Sequence, residues 1–400
     1  MFEALKPLPQ DPILAMMARY QRDEDPRKLD LGIGVYKDIN GDTPIMQAVQ
    51  KAEHLILLRE TSKSYQGPAG SAEFNQRVSE LVFGLGHQVL LDQRLVSAQT
   101  PGGCGALRMG AEFIRGLNGD SRIWVSTPTW ANHLPLLGGA GLEIAEYPYY
   151  DYSSHRVQFD AMMDTLEQAQ SGDFVLLHGC CHNPSGADLN REQWLEVADL
   201  LERKGLIPFV DMAYQGLGEG LTEDAFGVRM LADRMPEMLV ATSCSKNFGL
   251  YRERTGTLFL IGANAEQTKI AGSQLFSKIR SHYSMPPSHG AAIVETILGD
   301  DNLNTLWQQE LKQMRERIQH LRRTLVNKLN ETGVDRDFSF IQQQFGMFSF
   351  LGITPEQVEQ LRIKYSIYMI ESSRMNVAGL NDQRMDYFVS ALAEVLQHHK

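Results

Sequence analysis

The chain has 400 residues, 43% of them hydrophobic, so it can bury a large core and exceeds one ordinary domain; two lobes are expected. A formal net charge of -11 excludes a general binder of nucleic-acid backbones, which needs a basic face, but leaves room for a local cationic pocket. Four cysteines without C-x-x-C spacing argue against a disulfide framework and a metal site, and point to a reducing compartment.

The first residues, Met1 to Pro7, lack the basic start and apolar run of a leader, and no stretch approaches the ~18–20 apolar residues of a membrane span. Cytoplasmic residence, without membrane contact, is the expectation. From about Ser97 to Leu260 short apolar runs alternate with helical stretches. Pro101-Gly102-Gly103-Cys104-Gly105 reads either as a tight turn or as a glycine-rich loop opening a helix, where free backbone N–H groups can meet an anion. Residues 123–126, 174–178, 207–211 and 238–242 read as buried strands. Between them, 192–204 carries Trp194, Leu195, Val197, Ala198, Leu200 and Leu201 on one helical face, with Gly205 as a C-cap. This alternation implies a mostly parallel sheet covered on both sides. Residues 303–329 repeat apolar positions three or four apart, which predicts one long amphipathic helix stopping near Gly333. Arg315, Arg317, Arg322 and Arg323 lie mostly off that stripe and read as a solvated face. A strand-like 346–350 and a closing helix suggest a second, smaller α/β lobe.

Open parallel sheets bind ligands beyond the carboxyl ends of their strands. Here those ends carry Asn183, then Asp211 and Tyr214, then Ser243 and Lys246, with Arg254 shortly after. Each alone has an ordinary reading as a solvated terminus or packing residue. Together they are the residue types that pyridoxal phosphate requires: an amine for its aldehyde, an acid for its ring nitrogen, donors for its ring oxygen, and a cationic cup for its phosphate.

The segments Leu31-Gly32-Ile33-Gly34-Val35-Tyr36-Lys37-Asp38, Gly179-Cys180-Cys181-His182-Asn183-Pro184, Ala213-Tyr214-Gln215-Gly216 and Ser245-Lys246-Asn247-Phe248-Gly249-Leu250-Tyr251 resemble the class I aminotransferases, in particular their aspartate and aromatic branch. The resemblance runs from Asp11 to Gly379. It implies the fold-type I α/β architecture of pyridoxal-phosphate transferases: an N-terminal arm (1–11), a large domain with a mostly parallel seven-stranded sheet sandwiched by helices (44–313), and a smaller α/β domain from 12–43 and 314–400.

The resemblance also implies roles. Lys246 would be the Schiff-base lysine and general base, Asp211 the partner of the ring nitrogen, and Asn183 and Tyr214 the partners of the ring oxygen. Trp130 would stack on the ring and His133 would support Asp211. Gly103, the Cys104 backbone, Ser243 and Arg254 would hold the phosphate, joined by Tyr65 from the neighbouring subunit of a homodimer. Arg374 would clamp the substrate α-carboxylate, Arg280 of the neighbour would meet a distal carboxylate, and Gly34, Trp130 and Asn183 would also border the substrate. The implied reaction moves an amino group between aspartate and 2-oxoglutarate by a ping-pong route.

Ser64, Cys104 and Met285 depart from the aspartate-enzyme pattern of Asn, Thr and Asn, so aromatic amino acids are expected as further substrates, with a mainly aromatic enzyme as the alternative. A nicotinamide dehydrogenase would need a G-x-G-x-x-G turn, which neither Gly32-Ile33-Gly34 nor Gly103-Cys104-Gly105 completes. A ligand sensor on the same fold would need an added DNA-binding module.

Overall fold

The short apolar runs pair into one seven-stranded sheet. In the computed structural model, which describes residues 2–7, 12–117 and 122–398, its strands are β1 (Leu95–Pro101), β2 (Arg122–Thr127), β3 (Glu143–Pro148), β4 (Phe174–His178), β5 (Ile207–Met212), β6 (Met238–Ser243) and β7 (Thr255–Ile261). Part of the expected N-terminal arm, residues 1 and 8–11, lies outside the described residues. The strand order is β1-β7-β6-β5-β4-β2-β3. All neighbours run parallel except β7, which is antiparallel to both β1 and β6. The mostly parallel sheet is therefore the one expected. Every residue of β6 and β7 is buried; β6 reads as an apolar run in the sequence, whereas β7, which opens on Thr255, Gly256 and Thr257, is not marked there.

Helices α1 (Gly102–Leu117), α2 (Arg191–Lys204) and α3 (Ala265–His282) accompany the sheet. Ala106, Leu107 and Ile114 of α1 and Leu275 and Ile279 of α3 share one core with Val125, Leu176, Phe209, Ala241 and Leu258 of the strands. Helix α2 starts on a capping box, Asn190 with Gln193, and ends on Gly205 at φ 66°. The register puts His178 beside Asp211, and Asp211 beside Ala241, so the carboxyl ends of β4, β5 and β6 finish level.

The chain divides into two compact units, one of Pro44–Glu316 with Gln344–Gly346 and one of Met1–Thr43, Arg317–Gln343 and Met347–Lys400. In the second, Leu29–Asp30 pairs with Ile367–Tyr368, and Phe348–Phe350 pairs with Arg374–Asn376. Its core gathers Leu321, Leu325, Phe338, Phe388 and Leu392. The expected long helix runs from Asp301 to Glu331, as α4.

The arginines of α4 are not the solvated face that the sequence suggests. Arg322 is fully buried and donates to the carbonyls of Ile341 and Phe348, at 2.8 and 2.6 Å. Arg317 donates to Asp38 and Leu380 carbonyls, and Arg315 to that of Gly216. Only Arg323 of the four is exposed. A guanidinium satisfied by backbone carbonyls can be buried, and those carbonyls come from distant segments that helical periodicity does not reveal.

Candidate active site

Lys246 follows β6 by three residues, and its amine lies 4.9 Å from the centre of the Tyr214 ring. Tyr214 follows β5, whose end carries Asp211. The lysine keeps partial exposure, yet burial of its amine pushes the pKa down to about 8; Asp211 opposes that shift and Arg254 adds to it. Burial alone would raise Asp211. A hydrogen bond from His133, with the influence of His133, His178 and Lys246, outweighs it and holds the carboxyl below its ordinary value. Asp211 is thus kept as an anion at the strand end.

The support behind Asp211 is a continuous chain of hydrogen bonds. His133 Nε2 lies 3.0 Å from Asp211 Oδ2, and its Nδ1 lies 2.7 Å from Thr129 Oγ1. Thr129 Oγ1 is 3.1 Å from His178 Nε2, and His178 Nδ1 accepts from the Asn183 N–H at 3.4 Å. One assignment of protons satisfies every link: Asn183 N–H to His178, His178 to Thr129, Thr129 to His133, and His133 to Asp211. Burial pushes His178 down to about 3, with His133 adding to the shift, so His178 is neutral as this assignment requires. The sequence marks Asn183, His133 and Asp211 separately; Thr129 and His178 escape it, because the links join segments far apart in the chain.

Asn183 Nδ2 is 3.4 Å from the Tyr214 hydroxyl, and Asn183 Oδ1 is buried without a hydrogen-bond partner. Trp130 is half-buried and meets His133 edge-on at 5.3 Å. The first turn of α1, Ser243 and Arg254 form a cradle. A Cβ on Gly102 (φ 71°) would stand 2.5 Å from Arg254 Nη2, and one on Gly103 would stand 3.0 Å from Ser243 Cβ. A Cβ on Gly256 would stand 2.5 Å from the Gly102 carbonyl carbon and 2.7 Å from the Gly103 nitrogen. Glycine at these places lets β7 press against the helix start, where free N–H groups, a hydroxyl and a guanidinium make an anion site. Cys104, in that turn, accepts from Asn132 Nδ2 through its sulfur at 3.6 Å.

Two expected residues do not join this cluster within the chain: Tyr65 is 94% exposed, and Arg280, also exposed, donates to Ser284 Oγ. Gly34 and Arg374 belong to the other unit, where they meet around Phe348. Arg374 is buried, lies 4.3 Å over the Phe348 ring and donates to the Gly32 carbonyl at 2.6 Å. A Cβ on Gly34 would stand 2.8 Å from Phe348 Cζ, so only glycine fits there without a shift.

Cys180, Cys181 and Asp224 bring ligand-type atoms within 4.8 Å of one another. Both Asp224 oxygens already accept backbone N–H groups, from Gly216, Gly218, Glu219 and Gly220. Burial still raises the Asp224 carboxyl, and the bond to Cys181 together with burial carries the Cys180 thiol well above its usual range. This cluster ties together loops and is not built to surrender protons to a metal.

The model of the family "Aminotransferase class I and II" matches residues 26–392. This chain belongs to that family. The aspartate aminotransferase of Escherichia coli (strain K12) is 49% identical to this aminotransferase over 99% of this chain and 100% of that protein. The aromatic-amino-acid aminotransferase of Pseudomonas aeruginosa is 46% identical over 98% of each. Among solved structures, the aromatic-amino-acid aminotransferase of Burkholderia pseudomallei, covalently bound to pyridoxal phosphate, superposes with a TM-score of 0.97 at 41% identity, covering 99% of both chains. The cytoplasmic aspartate aminotransferase of Saccharomyces cerevisiae also reaches a TM-score of 0.97, at 33% identity over 100% of this chain and 99% of that one.

Proposed function

We propose that this aminotransferase uses pyridoxal phosphate to exchange amino groups between aspartate and 2-oxoglutarate, and accepts aromatic amino acids as further substrates. The observation that carries the reading is the placement of one lysine, its amine lowered to about 8, among Asp211, Tyr214 and Arg254. The residues fit the cofactor. The cradle of Gly102, Gly103, Ser243 and Arg254 suits a phosphate, and the Asn183 amide Nδ2, 3.4 Å from the Tyr214 hydroxyl, brings two hydrogen-bond donors together for a ring oxygen. Lys246 would hold the aldehyde, Asp211 the ring nitrogen, Asn183 and Tyr214 the ring oxygen, and Trp130 the ring face. Gly103, the Cys104 N–H, Ser243 and Arg254 would hold the phosphate. When bound, the cofactor supplies a carbonyl to take up the amino group and a ring to accept the electrons of a broken C–H bond.

The protein's own work is positioning and proton transfer. At pH 7 an amine of pKa about 8 is neutral in about one molecule in ten, against about one in three thousand at 10.5, so Lys246 can act as the base that moves the α-proton. The Asp211 anion, held by His133, keeps a proton on the ring nitrogen. Arg374 pairs with the substrate α-carboxylate, and Gly34 is assigned to the substrate with it. The first oxo acid leaves with the amino group still held on the enzyme, before the second oxo acid enters the same groups, so initial rates follow a ping-pong pattern. Tyr65 and Arg280 serve the neighbouring site of a homodimer. Their exposure supports this, as does that of Leu57 and Leu58, at 80% and 83%. The arm (1–11), the large domain (44–313) and the small domain (12–43 and 314–400) complete the assignment, and the cytoplasm is its proposed location. Among the described residues no helix is long and apolar enough to cross a membrane.

Arg280 favours acidic substrates, because an uncharged side chain bound beside it would leave the guanidinium unpaired. The aromatic reading rests on Met285, half-buried, whose sulfur accepts from the Gln66 N–H at 3.3 Å and which offers an adaptable apolar surface. A substrate panel with 2-oxoglutarate as acceptor tests both. Aspartate turnover is expected in the wild type, its kcat/KM falling at least about 100-fold in Arg280→Ala while the kcat/KM of phenylalanine, set by the first half-reaction alone, falls less. Unchanged aspartate turnover in the variant would remove the assigned role, and no aspartate turnover in the wild type would leave an aromatic enzyme.

A further inference from the structure

The turn that carries Asn183 departs from β4 against a single carboxylate. Asp188 accepts from the backbone N–H of Cys181 at 2.6 Å, through Oδ2, and from that of His182 at 2.7 Å, through Oδ1. Cys181 has a positive φ of 52°, a conformation that turns two successive N–H groups toward one anion and that a non-glycine residue holds only when its surroundings impose it. The rest of the turn closes on itself. Gly186 N–H donates to the His182 carbonyl at 2.7 Å, His182 Nδ1 is 2.8 Å from Ser185 Oγ, and the Ala187 N–H donates to that same oxygen. The His182 ring stacks on Tyr149 at 4.1 Å, and Tyr149 donates to the Ala187 carbonyl.

All these bonds fix residues on either side of Asn183, whose own contacts are a 3.4 Å bond to Tyr214 and a 3.4 Å bond from its N–H to His178. Bonds of this length hold a side chain only weakly. The short, charge-assisted bonds to Asp188 hold its turn more firmly. We propose that Asp188 is a positioning residue for Asn183: by holding the N–H groups of Cys181 and His182 it aims the Asn183 amide at the ring oxygen of the cofactor. Asp188 does not itself touch the cofactor. Asp188 lines a cavity of about 380 Å3 with His178, Arg191, Glu192 and Trp194. Facing its carboxylate are Cys180, raised chiefly by its bond to Cys181 and by burial, and Tyr149, raised chiefly by burial, with the Asp188 charge adding to both.

This proposal rests on the reading that Asn183 donates to the ring oxygen. A donor there favours the form of the chromophore with a charged oxygen, so it lowers the pH midpoint of the visible absorbance change of the holoenzyme. The test records that midpoint, with the melting temperature, for the wild-type, Asn183→Ala, Asp188→Ala and Asp188→Asn holoenzymes. Asn183→Ala is expected to raise the midpoint by about half a unit or more. Asp188→Ala is expected to raise it in the same direction. Asp188→Asn, which keeps one acceptor oxygen and nearly the same shape, should fall between that variant and the wild type. In the double variant Asn183→Ala/Asp188→Asn the second change should add nothing.

A lower melting temperature with the wild-type midpoint in both Asp188 variants would overturn the proposal, leaving Asp188 a structural anchor only. If Asp188→Ala does not fold, Asp188→Asn and the double variant decide by the same criterion. A wild-type midpoint in Asn183→Ala would instead overturn the assigned role of Asn183, and the proposal with it.

Discussion

Lys246 is one lysine after an apolar strand, and its chemistry comes from what surrounds it. With the amine at about 8, covalent uptake of pyridoxal phosphate by the cofactor-free protein is predicted to speed up as pH rises and to level off above about 8. The sign of each neighbour can be checked in the same experiment. The Asp211 anion raises the amine, so Asp211→Asn moves the midpoint to lower pH; Arg254 lowers it, so Arg254→Gln moves it to higher pH. A midpoint near 10.5 in the wild type would show that burial does not act on this amine. At this scale the sequence reveals the groups assigned to the cofactor better than those behind them. Lys246, Asp211, Tyr214, Asn183 and Arg254 stand at strand ends, where a residue type out of keeping with its apolar neighbours is visible. Thr129 and His178 join segments 49 residues apart, and Asp188 bonds backbone N–H groups six and seven residues before it within one loop, so no residue pattern announces them.

At the scale of elements, the apolar runs identify four of the seven strands within a residue or so at each end, because fully buried strands leave a compositional mark. The amphipathic stripe likewise gives helix α4, Asp301–Glu331, nearly to its ends. The antiparallel direction of β7 has no such mark; it shows only in the register, where Gly256 pairs with Ser243 and Thr100 while Ile261 pairs with Met238 and Leu95. That strand also carries the tightest packing of the cradle. In Gly256→Ala the new methyl would meet backbone atoms of Gly102 and Gly103 at 2.5 and 2.7 Å, which must shift. The variant is predicted to lose cofactor affinity at least about tenfold, through displacement of the α1 start, measured by equilibrium titration with pyridoxal phosphate. Wild-type affinity would place the phosphate elsewhere. The arginines of α4 show the opposite limit of sequence reading, since Arg322 reads as surface charge and is instead buried against two carbonyls.

For the whole molecule, the open question is which residues serve a neighbouring subunit. If Arg280 works across a dimer interface, two inactive chains can complement each other. Mixing Lys246→Ala and Arg280→Ala chains under conditions that exchange subunits should restore about a quarter of the wild-type aspartate activity, because half of the dimers then hold one intact site of two. Each variant alone stays inactive toward aspartate. No recovery after proven exchange would place Arg280 in its own subunit's site or outside both.

All of these outcomes depend on one bond. Borohydride reduction of the holoenzyme followed by peptide mass mapping locates the lysine that carries the cofactor. The phosphopyridoxyl mass is predicted on the peptide containing Lys246, in one copy per chain, and is absent from Lys246→Ala. The same mass on another lysine, or on none, would contradict the account.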